Sequence, residues 1–335
     1  MKKSIAIIFL FLASFSLAKD IKPIMVYDTK VILDKSWNEA IHKGILKFEK
    51  KTNINVEEEI LIDITVFKKQ VSTYAQNGFN PIMLNNVDDA KTEALKKIMS
   101  EYPKARFIIF NGTFNIPNAQ YFVFSNQESS FVAGYLASKK SQTKKLGFIG
   151  GMDIPLIKNF LCGYIKGAKH ANPKTEVLYD FIATDFSAWS NPEKAYTLAT
   201  AQINDGADVI FGPAGGSSLG VHKAANEKNV YSIGVDSNQN NLYPGTVLTS
   251  TMVRVDNAAF RALMAMQKNI WGEMKVMGFQ ENGVALAFDE HNEALVSHEL
   301  RNELNNLKAD IILKNIQLSD YMFHKECIVN GELLF

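Results

Sequence analysis

Short runs of β-branched and aromatic residues alternate along the chain with longer stretches of helical periodicity. Residues 36–51 place apolar or small side chains at three- and four-residue spacing, which predicts an amphipathic helix. Apolar runs predict strands at residues 23–26, 80–84, 105–110, 121–124, 145–149, 177–182, 209–211 and 230–235. Further helices are predicted at residues 88–102, 129–139, 156–171, 192–205 and 219–228.

This alternation is typical of βαβ units, in which helices cover both faces of a parallel sheet. One small sheet cannot hold so many units, so we predict an α/β protein with two doubly wound parallel-sheet lobes. Later in the chain, strands are predicted at residues 247–255, 285–288 and 311–316, and helices at 256–270 and 293–308. We expect these elements to cross between the lobes and complete both sheets. Ligands bind outside the carboxyl ends of such strands, so the loops there are the candidate binding loops.

Residues 1–18 have the pattern of a secretory signal peptide, with Lys2 and Lys3 before an apolar stretch too short to span a membrane. A lipoprotein would carry cysteine after the cleavage site, so Lys19 there predicts a free periplasmic protein. Removal of Lys2 and Lys3 leaves 34 basic residues against 35 acidic ones, with no basic stripe. This balance argues against nucleic acid as a partner.

The chain contains two cysteines, Cys162 and Cys327, and six histidines. In an exported protein two cysteines can form a disulfide, and two buried free thiols are the alternative. No histidine has a metal-ligand spacing with a carboxylate on one helix face. We therefore predict neither a metal site nor a cofactor.

The first candidate binding loop contains Asp34, Trp37 and Asn38. Asp34 either caps the following helix, by accepting bonds from its free N–H groups, or faces a ligand. Trp37 offers a flat apolar face for stacking, and Asn38 offers a donor and an acceptor on one amide. This pair suits recognition of an aromatic base.

Two glycine-containing loops follow later strands. Residues 150–153 (GGMD) allow close approach of the backbone to a ligand, and Asp153 is either a helix cap or a ligand acceptor. Gly215 lies within residues 212–218 (GPAGGSS), which lack the lysine of a phosphate-binding loop. Neither loop therefore favours binding of a nucleotide phosphate.

Residues 216–220 (GSSLG) match the nucleophile-elbow pattern GxSxG, with Ser218 as the candidate nucleophile. That elbow requires a strand-to-helix turn directly at the motif, whereas several residues separate Gly216 from the strand at 209–211. A triad would have to be completed by Asp236 or Asp289 with His291 or His298. We predict that the protein is not an enzyme and keep a secreted serine hydrolase as the alternative.

Asp236 follows the strand at residues 230–235. A carboxylate there can accept two charge-assisted hydrogen bonds from a vicinal diol such as that of ribose. Arg254 either pairs with Asp236 or contacts a ligand oxygen. The alternative is that both side chains are simply solvated.

Several ordered segments resemble the basic membrane protein family of ABC-transporter substrate-binding proteins, which includes the purine nucleoside receptor lipoproteins. Each segment alone is weak, but the ordered set is specific and spans the mature chain. The segments are residues 34–38 (DKSWN), 130–137 (SFVAGYLA), 147–155 (GFIGGMDIP), 160–167 (FLCGYIKG), 214–216 (AGG) and 234–239 (GVDSNQ).

The resemblance implies a type I periplasmic-binding-protein fold, in which two lobes enclose the ligand and are joined by a three-segment hinge. We expect residues 19–126 plus 252–287 in the N-terminal lobe and residues 127–251 plus 288–335 in the C-terminal lobe. The hinge candidates are residues 124–127, 248–252 and 287–290.

The resemblance also implies roles for individual residues. Asp34 and Asn38 would recognise the base, Trp37 would stack on it, and Asp236 would accept the ribose diol. The full set of expected ligand-binding residues is Asp34, Trp37, Asn38, Asp153, Gly215, Asp236 and Arg254. The family usually has phenylalanine at Trp37 and lysine at Arg254, and the second exchange is not neutral because guanidinium is planar and bidentate.

By this resemblance the protein captures a nucleoside, with a purine favoured, and delivers it as a monomer to an ABC-transporter permease. Asn38 alone does not separate purine from pyrimidine, because its amide can present either edge. A sugar or other polyol is the alternative ligand for the same fold, since a carboxylate accepts its hydroxyls equally well. A ligand sensor that feeds a membrane receptor is a further alternative.

Overall fold

The structure, a computed structural model, describes residues 21–27, 31–61, 63–85, 89–112, 116–272 and 275–335. The predicted signal peptide at residues 1–18 lies outside these ranges. Within them, no helix combines the length and the apolar character needed to cross a membrane.

Strands and helices alternate through most of the described chain. The strands are β1 (Ile24–Tyr27), β2 (Glu57–Ile60), β3 (Ile82–Asn85), β4 (Phe107–Phe110), β5 (Ala119–Phe124), β6 (Lys145–Gly150), β7 (Glu176–Phe181), β8 (Val209–Phe211), β9 (Tyr231–Asp236), β10 (Val247–Val253), β11 (Lys275–Met277), β12 (Val284–Leu286), β13 (Ile328–Val329) and β14 (Glu332–Leu333). The helices are α1 (Trp37–Thr52), α2 (Ile64–Gln76), α3 (Asp89–Glu101), α4 (Asn126–Lys140), α5 (Pro155–Ala171), α6 (Pro192–Asn204), α7 (Ser218–Glu227), α8 (Val255–Gln267), α9 (His298–Ile312) and α10 (Tyr321–His324).

The strands predicted from apolar runs before residue 240 are confirmed, but the strand predicted at residues 311–316 is wrong. Ile311 and Ile312 instead end α9. Leu304, Leu307 and Ile311 are buried at helical spacing, so the amphipathic pattern continues into the β-branched run and outweighs its strand preference.

The first sheet has the strand order β11-β5-β4-β3-β1-β2, and every neighbouring pair is parallel. All residues of β1, β3 and β4 are buried. Their continuous apolar runs follow from this position, because a strand covered on both faces has no polar side. Helices α1 and α8 pack together on this lobe, with Gly44 against the Asp256 backbone.

The second sheet has the order β12-β10-β9-β8-β6-β7, and only β12 runs antiparallel to its neighbour. Both sheets therefore have the doubly wound, parallel-rich form that the sequence predicts. The candidate binding loops lie at the carboxyl ends of β3, β4 and β5 in one lobe and of β6, β8 and β9 in the other.

Helices α4 and α5 of the second lobe approach each other closely. A side chain added at Gly134, Gly163 or Gly167 would come within 2.1, 2.5 and 1.8 Å of the facing helix backbone. Glycine is required there because any other residue would force the helices apart. The glycines of the segments 130–137 and 160–167 thus serve helix packing.

Within the described residues, the chain passes between the two sheets three times. The first passage follows β5, and α4 begins directly after it at Asn126. The second passage lies at Arg254, between β10 and α8. The third lies between Met277 and Val284, because β12 already pairs with β10 of the second sheet. This third passage precedes the predicted hinge at residues 287–290, because the strand predicted at residues 285–288 already pairs with the second sheet, which the sequence does not show.

Cys162 and Cys327 form a disulfide, with their Cα atoms 5.7 Å apart. Of the two alternatives that the sequence leaves open, the bonded one is therefore present. The bond ties α5 to the C-terminal segment, where the Phe335 ring also packs 5.6 Å from the Tyr321 ring.

Candidate functional site

A cavity of about 270 Å³ lies between the two lobes. The first lobe lines it with Asp34, Trp37, Asn38, Asn85 and Asn111. The first passage and the second lobe line it with Asn126, Leu156, Ile157, Phe160, Phe186, Ser187, Trp189, Ser190, Pro213, Gly215, Val235, Asp236 and Val253. These residues lie at or beyond the carboxyl ends of strands in both sheets, where doubly wound proteins bind their ligands.

Asp34 lies at the start of α1 and accepts four hydrogen bonds from the protein. Oδ1 accepts from the backbone N–H groups of Ser36 at 2.8 Å and Glu39 at 3.2 Å. Oδ2 accepts from the backbone of Asn38 at 3.2 Å and from its Nδ2 at 2.7 Å. Burial raises the pKa of Asp34 above its ordinary value, while these bonds act in the opposite direction. Asp34 thus caps the helix and also orients Asn38 at the cavity wall.

Trp37, Asn38 and Asn85 form a chain of hydrogen bonds. Asn85 Nδ2 donates to Asn38 Oδ1 at 2.8 Å, and Trp37 Nε1 donates to Asn85 Oδ1. The Trp37 ring packs edge-on against Phe124, with ring centroids 5.6 Å apart. Internal contacts therefore hold this wall in one arrangement.

Three asparagines that sequence reasoning missed line the cavity beside these residues. Asn85 ends β3, Asn111 follows β4, and Asn126 follows β5. These strands are neighbours in the first sheet, so their carboxyl ends meet at one edge. We call Asn85, Asn111 and Asn126 the amide row. Their position within two residues of a strand end was the signal that could have identified them.

The wall contributed by the second lobe is aromatic. Trp189 lies in a 3-10 turn that also contains Phe186, and both residues line the cavity. A side chain on Gly151 would meet the Trp189 ring at 2.1 Å, and Gly215, with φ 56°, lies beside the same tryptophan. Gly151 therefore makes room for Trp189 rather than for a ligand. Sequence reasoning missed Trp189 because a single turn has no periodicity.

Asp236 ends β9 in the left-handed backbone region, with φ 63°, which is uncommon outside glycine. Its Oδ2 accepts a hydrogen bond across the cleft from Ser36 Oγ at 2.5 Å. Burial raises the pKa of Asp236 to about 7, opposed by the Ser36 bond and reinforced by the charge of Asp34. A carboxylate accepts about four hydrogen bonds, so Asp236 retains capacity for a ligand.

Further hydrogen bonds join the lobes beside Asp236. Ser237 Oγ donates to the Ser36 carbonyl at 2.9 Å, and Gln239 Nε2 donates to the Lys35 carbonyl at 3.0 Å. Behind Gln239, a ring nitrogen of the buried His222 lies 3.0 Å from Gln239 Oε1, and burial lowers the pKa of His222 to about 4. The two lobes thus meet directly at one end of the cavity.

Two of the predicted ligand-binding residues do not line the cavity. Asp153 Oδ1 lies 2.8 Å from Lys158 Nζ, and its side chain is half exposed. Arg254 donates from Nε and Nη2 to the Asp256 carboxylate at 2.9 and 2.8 Å. Asp153 and Arg254 each form an ion pair with a residue a few positions later in the sequence. The loop sequences alone did not indicate these pairs. The predicted residues that do line the cavity are Asp34, Trp37, Asn38, Gly215 and Asp236.

Ser218, the serine of the GxSxG match, does not form the catalytic triad that the serine-hydrolase hypothesis requires. Ser218 Oγ accepts from Gln239 Nε2 at 3.2 Å. His222 lies near Ser232 Oγ, at 2.9 Å, and near Gln239. Within the described part of the chain, no hydrogen bond joins Ser218 to a histidine.

One group of side chains could in principle hold a cation. Asp289, Glu290 and His291 bring one ligand atom each within 4.8 Å of one another. Asp289 already accepts from Asn238 at 2.6 Å and from Asn240 at 3.0 Å. None of the three lines the cavity between the lobes.

The charge of the cavity constrains its ligand. Asp34 and Asp236 are the charged residues among the described lining, which includes no lysine, arginine or histidine. A phosphate or carboxylate would be buried there without a cationic partner, which is costly. The cavity therefore favours a neutral ligand that is partly aromatic and partly polar.

Two α/β lobes, three passages and a cleft at the strand ends define a type I periplasmic-binding-protein fold. A solute-binding protein of an ABC transporter system from Aeropyrum pernix K1 has this fold, with a TM-score of 0.82 and 21% identity over 91% of this chain and 95% of that chain. A solute-binding protein from Conexibacter woesei DSM 14684 matches with a TM-score of 0.72 and 17% identity over 90% of this chain and 99% of that one.

The chain belongs to the basic membrane protein family of ABC-transporter substrate-binding proteins. Residues 21–321 match the family model described as ABC transporter substrate-binding protein PnrA-like. Basic membrane protein B of Borreliella burgdorferi (strain B31) is 31% identical over 325 residues, which cover 90% of this chain and 93% of that protein. Basic membrane protein D of Borreliella burgdorferi (strain JD1) is 29% identical over 300 residues, or 85% of each chain. Membership implies an extracytoplasmic protein with a small-molecule ligand and a permease partner.

Proposed function

We propose that this protein binds a nucleoside, with a purine favoured, and presents it to the permease of an ABC transporter. The observation that carries the proposal is the composition of the cavity: tryptophans from both lobes, the neutral amide row, and the buried Asp236 carboxylate. A nucleoside combines a flat uncharged base with a vicinal diol. Each part has a chemically matched wall in this cleft.

The base would lie against Trp37 of the first lobe and Trp189 of the second. Stacking on indole is favourable for any heteroaromatic ring. The amide groups beside Trp37 can complement the polar edge of the base, because a carboxamide both donates and accepts. The ribose hydroxyls would donate to Asp236, with charge-assisted bonds about twice as strong as neutral ones.

Closure of the lobes would couple binding to delivery. The ligand contacts both walls only when the lobes are together, so it binds the closed form more tightly than the open form. It can shift the population towards the closed form by no more than the difference between these two affinities. The hydrogen bonds of Ser36 with Asp236 and of Lys35 with Gln239 join the two lobes and would stabilise the closed form. The hinge passages would absorb the rotation, and the permease would recognise the closed form.

Calorimetric titration of refolded, ligand-stripped protein with a nucleoside panel tests this proposal. Nucleosides should bind tightly, and ribose or the free base alone should bind far more weakly, since each makes only part of the contacts of the whole nucleoside. No heat with any nucleoside would reject the nucleoside assignment. Nucleoside 5′-monophosphates should also bind weakly, because the described lining holds no cation to pair with a phosphate.

A sugar or other polyol is the second candidate, and Asp236 supports it as well, because any vicinal diol can donate to a buried carboxylate. Ligand released by denaturing freshly purified protein distinguishes the two. A nucleoside absorbs ultraviolet light strongly through its aromatic base, and a sugar does not.

The remaining functional expectations belong to the same proposal. The protein would act as a monomer that is not an enzyme, without a cofactor. It would be exported to the periplasm without a lipid anchor, since Lys19 rather than a cysteine follows the predicted cleavage site.

A further inference from the structure

A buried polar cluster lies behind the loop that follows β9. Its members, Ser218, His222 and Gln239, are at most 1% exposed, and all three lie outside the described lining of the cavity between the lobes. Ser218 and His222 are four residues apart on α7, so one face of this helix presents both side chains to Gln239. Buried polar groups are costly unless they are hydrogen-bonded, so the bonds of this cluster indicate what it holds in place.

The hydrogen bonds of the Gln239 side chain determine its orientation. Oε1 accepts from the backbone N–H of Val235 at 2.9 Å, and a backbone amide nitrogen can only donate. Nε2 therefore points the other way. It donates to Ser218 Oγ at 3.2 Å and, across the cleft, to the Lys35 carbonyl at 3.0 Å.

His222 supplies a further bond to the same amide. Its Nε2 lies 3.0 Å from Gln239 Oε1, and its Nδ1 lies 2.9 Å from Ser232 Oγ. Burial lowers the pKa of His222 to about 4, so the ring is neutral near pH 7 and carries one N–H. Because Gln239 Oε1 can only accept, that hydrogen belongs on Nε2, and Nδ1 accepts from Ser232. His222 thereby holds Oε1 and keeps Nε2 of Gln239 turned towards the first lobe.

The space around the Gln239 amide leaves it little choice of position. A side chain added at Gly234 would come within 2.9 Å of Gln239 Oε1 and 2.5 Å of Ser250 Oγ. Ser250 Oγ accepts from the backbone N–H of Gln239 at 3.0 Å. Gly234 is therefore needed to let the amide lie against β9.

The receiving surface on the first lobe consists of backbone. Lys35 has φ 57°, a left-handed conformation that is uncommon outside glycine, and its carbonyl accepts from Gln239. The next carbonyl, that of Ser36, accepts from Ser237 Oγ at 2.9 Å. Backbone acceptors do not change with the ligand, so these bonds depend on the distance between the lobes and not on the chemistry of the ligand.

We propose that His222 is a positioning residue for lobe closure, which holds the Gln239 side chain so that its Nε2 latches the lobes through the Lys35 carbonyl, with or without a ligand. We call Ser218, His222 and Gln239 the latch. The inference rests on the proposed function for its part in delivery and goes beyond it, because the latch stabilises the closed form without touching the ligand. A contribution of this kind slows the release of every ligand by the same factor and leaves the preference among ligands unchanged.

The test compares three substitutions of His222 with the parent protein. His222→Leu removes both ring contacts. His222→Gln places an amide nitrogen near the position of Nε2 and keeps a donor for Gln239, whereas His222→Asn ends near Nδ1 and keeps only the contact with Ser232. Stopped-flow tryptophan fluorescence measures the dissociation rate constant of inosine, because Trp37 and Trp189 line the cavity.

Loss of one such hydrogen bond amounts to about fivefold, so the dissociation rate constant should rise about fivefold in His222→Leu and His222→Asn, and less than about twofold in His222→Gln. Gln239→Leu removes the donor across the cleft and should match His222→Leu. The ratio of inosine to adenosine affinity should be the same in all variants. If His222→Leu is not folded by thermal melting, the comparison of His222→Gln with His222→Asn carries the test.

A second measurement needs no ligand. Small-angle X-ray scattering of the ligand-stripped proteins should give a smaller radius of gyration for the parent than for Gln239→Leu or His222→Leu, because the latch keeps part of the population closed. The radius of gyration of His222→Gln should be that of the parent.

Several outcomes would overturn the inference. Equal effects of His222→Gln and His222→Asn would leave His222 a structural role only. A changed ratio of inosine to adenosine affinity would mean that the cluster acts on the ligand, and equal scattering of the ligand-free parent and Gln239→Leu would mean that closure requires a ligand. Nucleoside binding by the parent with any of these results leaves the proposed function intact. If the parent binds no nucleoside, the proposed function fails, and the scattering comparison alone decides whether the latch exists.

Discussion

The two walls of the cleft are built differently. On the first-lobe wall, Asp34, Asn38, Asn85 and Trp37 bond to one another, so their polar groups are oriented by the protein itself. On the second-lobe wall, Trp189 lies on a short turn, and Asp236 has its contact with Ser36 of the opposite lobe. One wall is thus organised internally, and the other completes its contacts across the cleft.

This difference separates selectivity from closure. A wall whose donors and acceptors are already oriented loses little entropy on binding and can discriminate between base edges. A wall whose charged group bonds across the cleft contributes most of its binding free energy once the lobes are together. We therefore expect changes in the first wall to alter ligand preference, and changes in the second wall to alter affinity and closure.

The largest expected effect concerns the disulfide, which supports only the second wall. Cys162 lies on α5, whose first turns line the cavity, and the bond to Cys327 spans a sequence separation of 165 residues. Loss of such a long loop constraint should destabilise the protein by up to about 5 kcal/mol. Urea unfolding of the double variant Cys162→Ser with Cys327→Ser measures this. Hydrogen exchange should rise in α5 but not in β3 or β4, and an equal rise in both lobes would mean that the disulfide supports both walls.

The next effect is on ligand affinity. Asp236→Ala removes the proposed acceptor of the diol and should weaken nucleoside binding by about 3 kcal/mol, or more than a hundredfold. Calorimetry measures the dissociation constant. Ser36→Ala is the matched control, because it removes the bond across the cleft and leaves the carboxylate. The Ser36 variant should lose about 1 kcal/mol, and an unchanged dissociation constant in Asp236→Ala would reject the ribose role.

A pH profile separates the ligand contact of Asp236 from its role in stability. Burial raises the pKa of Asp236 from 3.8 to about 7, so ionisation destabilises the fold progressively as pH rises between these values. Diol donors favour the ionised form instead, so affinity should fall about tenfold per pH unit below 7. The useful range is pH 5 to 8, because the slope develops below pH 7 and the buried His222, with its pKa lowered to about 4, stays mostly neutral there.

Titration calorimetry across that range gives the slope of affinity with pH. Asp236→Asn has no proton to lose and should give a flat profile. A sloping profile in Asp236→Asn would assign the pH dependence to another group, such as the nearby Asp34, whose pKa burial also raises.

The sequence predicts some strands of the fold and not others, depending on where each strand lies in its sheet. The central strands were predictable because β1, β3 and β4 are buried on both faces and read as apolar runs. The edge strand β2 has the sequence EEEI and is mostly exposed, so nothing in its composition marks it as a strand. Its pairing with β1 is imposed by the sheet, not by local preference.

The site shows the same limit. Trp37 and Asp236 follow strands in recognisable loops, and their position alone indicates a role. The amide row depends on β3, β4 and β5 being neighbours, which is a property of the strand order. Asp153 and Arg254 lie in the right loops, but local partners hold them away from the cavity lining. Loop position is readable from a sequence, whereas the choice between competing partners requires three-dimensional distances.

The smallest expected effect tests whether the first wall is oriented in advance. Asn85 donates to Asn38 and accepts from Trp37, so Asn85→Ala leaves both groups without their partner. Nucleoside affinity should fall by about 1 kcal/mol, and any preference between inosine and adenosine should narrow because the Asn38 amide is then held by Asp34 alone. Asn85→Asp keeps the acceptor for Trp37 Nε1 and should restore part of the affinity but not the bond to Asn38 Oδ1. If Asn85→Ala weakened all nucleosides by the same factor, orientation by this chain of hydrogen bonds would not be the source of selectivity, and the two walls would differ in composition only.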